Sequence, residues 1–551
     1  MTDCKKIADL IFKDVDKTTE YYENLYPARD LPEGARVTRF APSPTGYLHF
    51  GGLYASFASK LTAESTGGVF MLRIEDTDKK REVEDGVSGI VKGLEAFGVT
   101  PDEGVTGFDC ENGKYGPYTQ SHRREIYRTF AKKLMEEGKA YPCFCTPEDL
   151  DEIRAQQENE DIKGYYGSYA KCRDLTDEEI AEKIEKGVPF TVRLRSTGDI
   201  QRKIKFDDLI KGKIEMSENV NDVVILKADG IPTYHFAHAV DDHLMRTTHV
   251  VRGDEWIASV PLHIELFRAL GFKPVKYAHI APIMKEENGG KRKLSKRKDP
   301  EANVSYYIEK GYPEESVKEY MLTILNSNFE DWRRANKTED ISKFPFNLKK
   351  MSVSGALFDM VKLNDVSKNV ISVMTAEKVY GLVTDWAKEY DKEIYSLFSE
   401  NPEKAKAILN IDRENPKPRK DIACFDEVRQ YVAFFYNSLY TPDFSLPEHI
   451  NKADAVEILT KYKELYSQSD SKDDWFNKIK DLCTQCGYTP NVKEYKQNPD
   501  GFKGHVGDVS TVIRIAVTSR TNTPDLYYIM QILGKDEVLT RIDNAINSYK
   551  A

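Results

Sequence analysis

The sequence predicts an α/β chain: a doubly wound parallel sheet split by a mixed α+β insertion and followed by an all-α C-terminal third. Three observations predict it. Val37-Thr38-Arg39-Phe40-Ala41 reads as a strand, Leu53, Phe57 and Leu61 then fall at helical spacing, and Val69–Ile74 reads as a second strand. This is a βαβ unit, and parallel strands joined by a helix belong in a doubly wound sheet. Strand signals return at Val223-Val224-Ile225-Leu226 and Thr248–Val251 after a mixed stretch over residues 122–222. From about residue 373 onward only helical patterns remain.

The elements follow in order. Residues 1–35 form a polar helical lead-in that ends at Pro32 and Gly34, and carry no functional motif. Residues 36–121 hold the first half of the sheet, where Gly67-Gly68 stops the first crossover helix. Val87, Ile90, Val91, Leu94 and Phe97 mark another amphipathic helix, closed by Gly98. The insertion spans 122–222, and the sheet resumes over 223–270, with a turn at Asp229-Gly230. A connecting region covers 271–372 and a helical region 373–551, where Pro524-Asp525 opens a helix, Gly534 closes it, and Leu539, Ile542 and Ile546 continue in the next. A chain of 551 residues is too long for one core.

Composition excludes several classes. The net charge of −10 rules out a uniformly basic nucleic-acid binder, so any nucleic acid must be met by local basic patches. No stretch is apolar enough to span a bilayer, and the N-terminus lacks a signal-peptide core. Eight cysteines in so long a chain make no disulfide framework, so a reducing cytoplasm is expected. Cys483-x-x-Cys486 stands alone in a helical region and is expected to be structural.

Two motifs carry the chemistry. Pro42-Ser43-Pro44-Thr45-Gly46-Tyr47-Leu48-His49-Phe50-Gly51-Gly52 lies between strand and helix, where a helix N-terminus can hold phosphate. Lys291-Arg292-Lys293-Leu294-Ser295-Lys296-Arg297-Lys298 puts six cations into eight residues. Together they suggest an enzyme that grips a triphosphate from two sides.

These stretches resemble the HIGH and KMSKS motifs of class I aminoacyl-tRNA synthetases, with Gly52 in the fourth HIGH place and Leu294 and Arg297 within the KMSKS pattern. Arg39–Gly46, Arg73-Ile74-Glu75-Asp76-Thr77-Asp78, Pro232–Asp242 and Val251–Trp256 are similar to glutamyl-tRNA synthetases of the bacterial type. Glutaminyl enzymes more often carry Asp-Asp-Thr-Asn at the second of these places. The resemblance implies a Rossmann-type class I catalytic domain, an acceptor-binding insertion and an all-α anticodon-binding region. It implies His49, Lys293 and Lys296 as catalytic residues and Arg39, Ala41, Ser43, Glu75, Tyr234, His238 and Arg252 around glutamate. Thr45, Gly46, His49, Gly51, Gly52, Trp256, Lys293 and Lys296 are implied around ATP, which is a substrate used with Mg2+.

The implied activity is glutamate–tRNA ligation on tRNA(Glu) by a cytoplasmic monomer, with charging of tRNA(Gln) left open. A non-catalytic tRNA-binding paralogue would be expected to lose His49 or Lys296, and both are present. Some glutamyl enzymes also hold zinc in the insertion. Here the candidate ligands are Cys143, Cys145 and Cys172, with Asp174 or Tyr169 as the fourth.

Overall fold

The computed structural model describes residues 3–78, 85–161 and 163–551; Met1, Thr2, residues 79–84 and Ile162 lie outside these. The chain forms two compact units. One comprises Met1–Ile308 and Lys318–Asp359, the other Glu309–Val317 and Met360–Ala551. The division therefore falls one helix earlier than the pattern near 373 suggests, because the helix Met360–Ser372 packs with the second unit.

In the first unit β1 (Val37–Phe40) is followed by α1 (Phe50–Glu64), β2 (Val69–Leu72) and β3 (Glu103–Gly107). β1 pairs β2 in parallel from Val37↔Val69 to Phe40↔Leu72, and β2 pairs β3 in parallel. Far along the chain come α2 (Tyr234–Leu244), β4 (His249–Gly253) and β5 (Lys276–Ile280), with β4 and β5 again parallel. The Thr248 N–H donates to the Val37 carbonyl at 2.9 Å, and the Val37 N–H donates to the Thr248 hydroxyl at 2.8 Å. The strand order is thus β3-β2-β1-β4-β5, and it reverses between β1 and β4.

That reversal matters. β1 and β4 are tied at their amino ends, and among the described residues no ladder joins them further on. Their carboxyl ends therefore flank a crevice, the place where doubly wound sheets bind ligands. Alternation along β1 sends Thr38 to the Ser59 carbonyl of α1 (2.9 Å) and Arg39 to the opposite face, toward Asp242 of α2 (3.3 Å).

In the insertion Ala140–Cys143 and Thr191–Leu194 form an antiparallel sheet that Val224–Leu226 joins, so that strand does not resume the parallel sheet as its sequence suggested, and Lys203–Asp208 with Gly212–Ser217 forms a separate hairpin. The N-terminal stretch is not a loose lead-in. Its helices Cys4–Ile11 and Thr19–Leu25, with the residues just beyond them, bury Ile7, Phe12, Tyr22 and Tyr26, while Asp9, Asp14 and Lys17 pair with Lys132, Arg128 and Glu125 of the helix Arg124–Glu136.

The second unit is helical around one core running from Ile371 to Tyr549. Asp525 caps the helix Leu526–Leu533, Gly534 ends it at φ +84°, and Ile542 and Ile546 of the helix Lys535–Lys550 enter the core as their spacing predicts. Cys483 and Cys486 belong to the same core. Among the described residues no helix is long and apolar enough to cross a membrane.

Candidate active site

The crevice between the carboxyl ends of β1 and β4 opens into a cleft of about 620 Å³ whose walls include Arg39, Ala41, Ser43, His49, Gly51, Gly52, Glu75, Tyr234, Arg252, Trp256, Lys293 and Lys296. Residues more than 250 positions apart in the chain meet here because the sheet reverses its order at this point.

Beneath the floor lies a buried charge network. Arg73, fully buried after β2, donates to Asp242 at 2.7 Å and to Glu75 at 3.1 Å. Asp242 also receives the Arg39 Nε at 3.3 Å. Its neighbour Asp241 accepts from Arg123 (2.7 Å), Gln120 (2.9 Å) and Tyr127 (2.8 Å). Arg39, Arg73 and Arg123 thus face Asp241, Asp242 and Glu75, three cations against three carboxylates. Burial opposes ionisation of Asp242, yet Arg39 and Arg73 hold its carboxyl well below the usual range. Burial raises Glu75.

Arg252 stands outside this balance. It is 6 % exposed, and among the described residues no carboxylate pairs with it. Its Nε donates to His279 Nε2 at 3.1 Å, one Nη to the Tyr234 hydroxyl at 3.3 Å, and the other to the Trp256 carbonyl at 3.4 Å and His263 Nδ1 at 3.2 Å. The guanidinium also lies over the Tyr277 ring, 4.6 Å from its centre. All these partners are neutral. A buried cation is normally paired, and this one has the charge and position to take an anion from outside the chain.

The other end of the cleft is the loop between β1 and α1. His49 caps α1 and its Nδ1 accepts the Gly51 N–H at 2.7 Å, which leaves the proton of the neutral ring on Nε2. Burial, with Lys296 and Lys293 nearby, takes His49 from its ordinary 6.5 to about 4. A Cβ at Gly51 would stand 3.0 Å from that ring nitrogen and would press the His49 ring out of this place. Lys296 donates to the Tyr47 carbonyl at 2.6 Å, so the basic loop bridges to the first motif.

The basic octet is not uniformly free. Arg292 is held by Glu287 and, through two bonds of 2.6 and 2.7 Å, by Asp299, which also caps Ser295 N–H at 2.9 Å. Leu294 is buried as an anchor. Lys293 and Lys296 are left facing the cleft.

Most sequence-predicted residues come together, with some differences of place. His238 is fully buried behind Tyr234, on which it stacks, and contacts Tyr277 and Asp242 rather than the cleft. Thr45 and Gly46 shape the turn below Lys296 without lining the cleft. Trp256 packs on Tyr234, with ring centres 4.3 Å apart, at the Arg252 end.

In the insertion the Cys143, Cys145 and Cys172 sulfurs all lie within 4.8 Å of one another. Neither expected fourth ligand is there. The Asp174 side chain is 88 % exposed and faces Arg195, while Tyr169 bonds Glu160. The Tyr165 hydroxyl instead stands 3.5 Å from Cys143 Sγ and 3.3 Å from Cys145 Sγ. The Cys172 hydrogen bond, together with Arg193, holds the Cys143 thiol far below its ordinary value, to about 4. Three close thiols and a fourth oxygen suit a tetrahedral Zn2+. Sequence reasoning missed Tyr165 because it considered only Tyr169 and Asp174, the candidates within three residues of Cys172.

Residues 36–365 match the family of class I tRNA synthetases (E and Q), catalytic domain, and residues 495–546 match the anticodon binding domain. A glutamate–tRNA ligase of Clostridium perfringens is 51% identical over 98% of this chain and the whole of its own. The chain belongs to the glutamate–tRNA ligase family. A relative of that name from Sorangium cellulosum is 47% identical over 95% of this chain and 97% of its own. A crystal structure of a glutamate tRNA ligase from Elizabethkingia meningosepticum, in complex with its amino acid, superposes with a TM-score of 0.74 at 28% identity, covering 93% of this chain and 99% of that one.

The histidines supply a test of the buried site. Burial holds His49, His235, His238 and His249 near 4, against an ordinary 6.5. Between about pH 4 and 6.5 the unfolded chain therefore binds more protons than the folded one, so stability rises with pH across that window. The first unit's urea midpoint should be flat above about pH 6.5 and fall steadily toward pH 4. A midpoint unchanged between about pH 7 and 5 would contradict the neutral, buried assignment of these rings.

Proposed function

We infer that the cleft activates L-glutamate with ATP and passes it to tRNA(Glu): the chain is a glutamate–tRNA ligase. The observation that carries the residue-level reading is the buried Arg252 without a carboxylate partner. A guanidinium reads a carboxylate by parallel N–H···O bonds. Arg252 has N–H capacity left on the nitrogen that meets Tyr234, and the Tyr234 hydroxyl, accepting from Arg252, can give its own proton to the same carboxylate. The γ-carboxylate of glutamate fits there. Glutamine would leave the arginine's charge unmet. Glu75 lines the same cleft and suits the substrate's α-ammonium, with Arg73 holding its other side.

In this reading the α-carboxylate oxygen attacks the α-phosphorus of ATP, and the bond to the β-phosphate breaks. His49 Nε2–H, the amino end of α1, Lys293 and Lys296 take up the negative charge that develops on the phosphates and the leaving pyrophosphate. ATP enters as its Mg2+ complex. A hydroxyl of the terminal ribose of tRNA then attacks the mixed anhydride and releases AMP. No protein nucleophile is needed, and catalysis is positioning plus electrostatics. In the insertion, Zn2+ on Cys143, Cys145, Cys172 and Tyr165 would hold the sheet of Ala140–Cys143 to the loop before Cys172.

Aminoacylation of purified tRNA(Glu) and tRNA(Gln), each offered glutamate and glutamine, tests the activity. Lys296→Ala should slow single-turnover glutamyl transfer by roughly 30- to 1000-fold while glutamate binding changes little. A loss under about threefold would remove Lys296 from the reaction. Arg252→Gln should raise the KM for glutamate steeply and shrink the preference over glutamine in pyrophosphate exchange with tRNA present. Breaking such a buried charge contact costs about 3–5 kcal/mol. Unchanged discrimination would move the clamp to Arg39. Metal analysis after dialysis should find about one equivalent of zinc, reduced by Tyr165→Phe and unaffected by Asp174→Ala. Fully active protein with under about a tenth of an equivalent would rule a structural zinc out.

A further inference from the structure

Arginine only donates hydrogen bonds, so any ring nitrogen that meets Arg252 must accept. His279 Nε2 receives the Arg252 Nε at 3.1 Å. The single proton of the neutral His279 ring is therefore on Nδ1, which stands 2.6 Å from an oxygen of Asp208. Burial keeps His279 below its ordinary value despite that carboxylate. The other side of Arg252 has a similar chain, from His263 Nδ1 (3.2 Å) through its Nε2 to His235 Nδ1 (2.8 Å), but it ends on a neutral ring. Only the His279 chain ends on a fixed charge.

Asp208 reaches the site from outside the parallel sheet. It is the last residue of the strand Lys203–Asp208 in the insertion's hairpin, and it is 4 % exposed. One of its oxygens accepts the N–H groups of Ile210 (3.0 Å) and Lys211 (2.8 Å). The other accepts the His279 backbone N–H (3.1 Å) and ring N–H. The hairpin turn is pinned to the sheet twice more, by the Leu209 N–H to the Tyr277 carbonyl (2.9 Å) and by Lys211 to Asp254 (3.0 Å), two residues past Arg252. Asp208 is thus saturated with donors and separated from Arg252 by a neutral ring. It cannot cancel the arginine's charge, but it can orient the ring that orients the arginine.

We propose that Asp208 and His279 are positioning residues for amino-acid recognition: Asp208 sets the tautomer and plane of His279, and His279 sets the plane of the Arg252 guanidinium toward the cleft. The proposal rests on reading Arg252 as the group that takes the substrate's carboxylate. It joins the insertion hairpin to specificity in the sheet's crevice, and nothing in Asp208's sequence neighbourhood marks it for that role.

The test uses tRNA-dependent pyrophosphate exchange on the full chain, with KM for glutamate and for ATP measured separately. In Asp208→Asn the amide oxygen stays with the Ile210 and Lys211 N–H groups and is the one acceptor left for the His279 backbone N–H, at 3.4 Å, so its NH2 faces His279 Nδ1. The ring proton is then driven to Nε2, which can no longer accept from Arg252. This near-isosteric change should raise the glutamate KM by about 10- to 100-fold, the range by which partners orienting metal-ligating histidines act, with kcat and ATP KM within about threefold. His279→Gln places an amide oxygen where Nε2 was and has no need of Asp208. Its glutamate KM should rise less than that of Asp208→Asn, and Asp208→Asn on top of it should add nothing further.

Arg252→Gln is measured alongside. If it spares the glutamate KM, the reading of Arg252 fails and the proposal with it. If it raises that KM while Asp208→Asn leaves it within about twofold, the proposal alone fails. An Asp208→Asn defect shared equally by ATP, and deepened in the double variant, would make the dyad merely structural and overturn the positioning role.

Discussion

A guanidinium buried without a counter-charge is the constraint around which the first unit is built. Arg252 sits where two parallel strands part, and solvation by water has been replaced by a hydroxyl, a carbonyl and two imidazoles. Such a group is costly in the free protein and is relieved when a carboxylate arrives. The buried carboxylates nearest to it are already taken: Asp241, Asp242 and Glu75 by Arg39, Arg73 and Arg123, and Asp208 by backbone N–H groups and His279. Keeping the surrounding histidines neutral preserves the imbalance, since a charged ring beside Arg252 would add repulsion and lose an acceptor.

The opposite end of the cleft follows the same electrostatic logic with different parts. There the cations are lysine side chains and a helix terminus, suited in the proposed reading to charge that grows and then leaves with pyrophosphate. Lys296 reaches across to the Tyr47 carbonyl, and Arg292 and Asp299 clamp the base of its loop. In the proposed reading one end of the cleft selects and the other carries charge that responds to the reaction. Both lie in a chain of net charge −10, so the positive potential is local to the cleft.

How much of this was legible in the sequence depends on the range of the interaction. The βαβ unit, the helix stops at Gly67 and Gly98 and the late helix between Asp525 and Gly534 could be read because local periodicity and caps determine them. His49, Lys293, Lys296 and Arg252 could be read because contiguous motifs surround them. The place of His238 behind Tyr234 could not, since adjacent turns of α2 look alike in sequence and only packing decides which faces the cleft. Tyr165, Asp208 and His279 were invisible for a related reason. Each acts through a partner that the fold, not the sequence, brings near. The buried docking of residues 3–34 was also hidden, because its apolar anchors Phe12, Tyr22 and Tyr26 are widely spaced among charges.

The central claim, that the cleft carries an unmet positive charge designed for a side-chain carboxylate, is tested most directly by calorimetry on the unaltered protein with tRNA(Glu) and a non-hydrolysable ATP analogue bound. L-glutamine matches L-glutamate in shape at the atoms near Arg252 and differs in charge, and the γ-methyl ester of glutamate keeps both oxygens, adds a methyl group and is also neutral. The account predicts that both neutral ligands bind at least about 100-fold more weakly than glutamate, the scale of a lost buried charge contact. Affinities within about threefold of one another would mean that the charge of Arg252 is met elsewhere, and would contradict it.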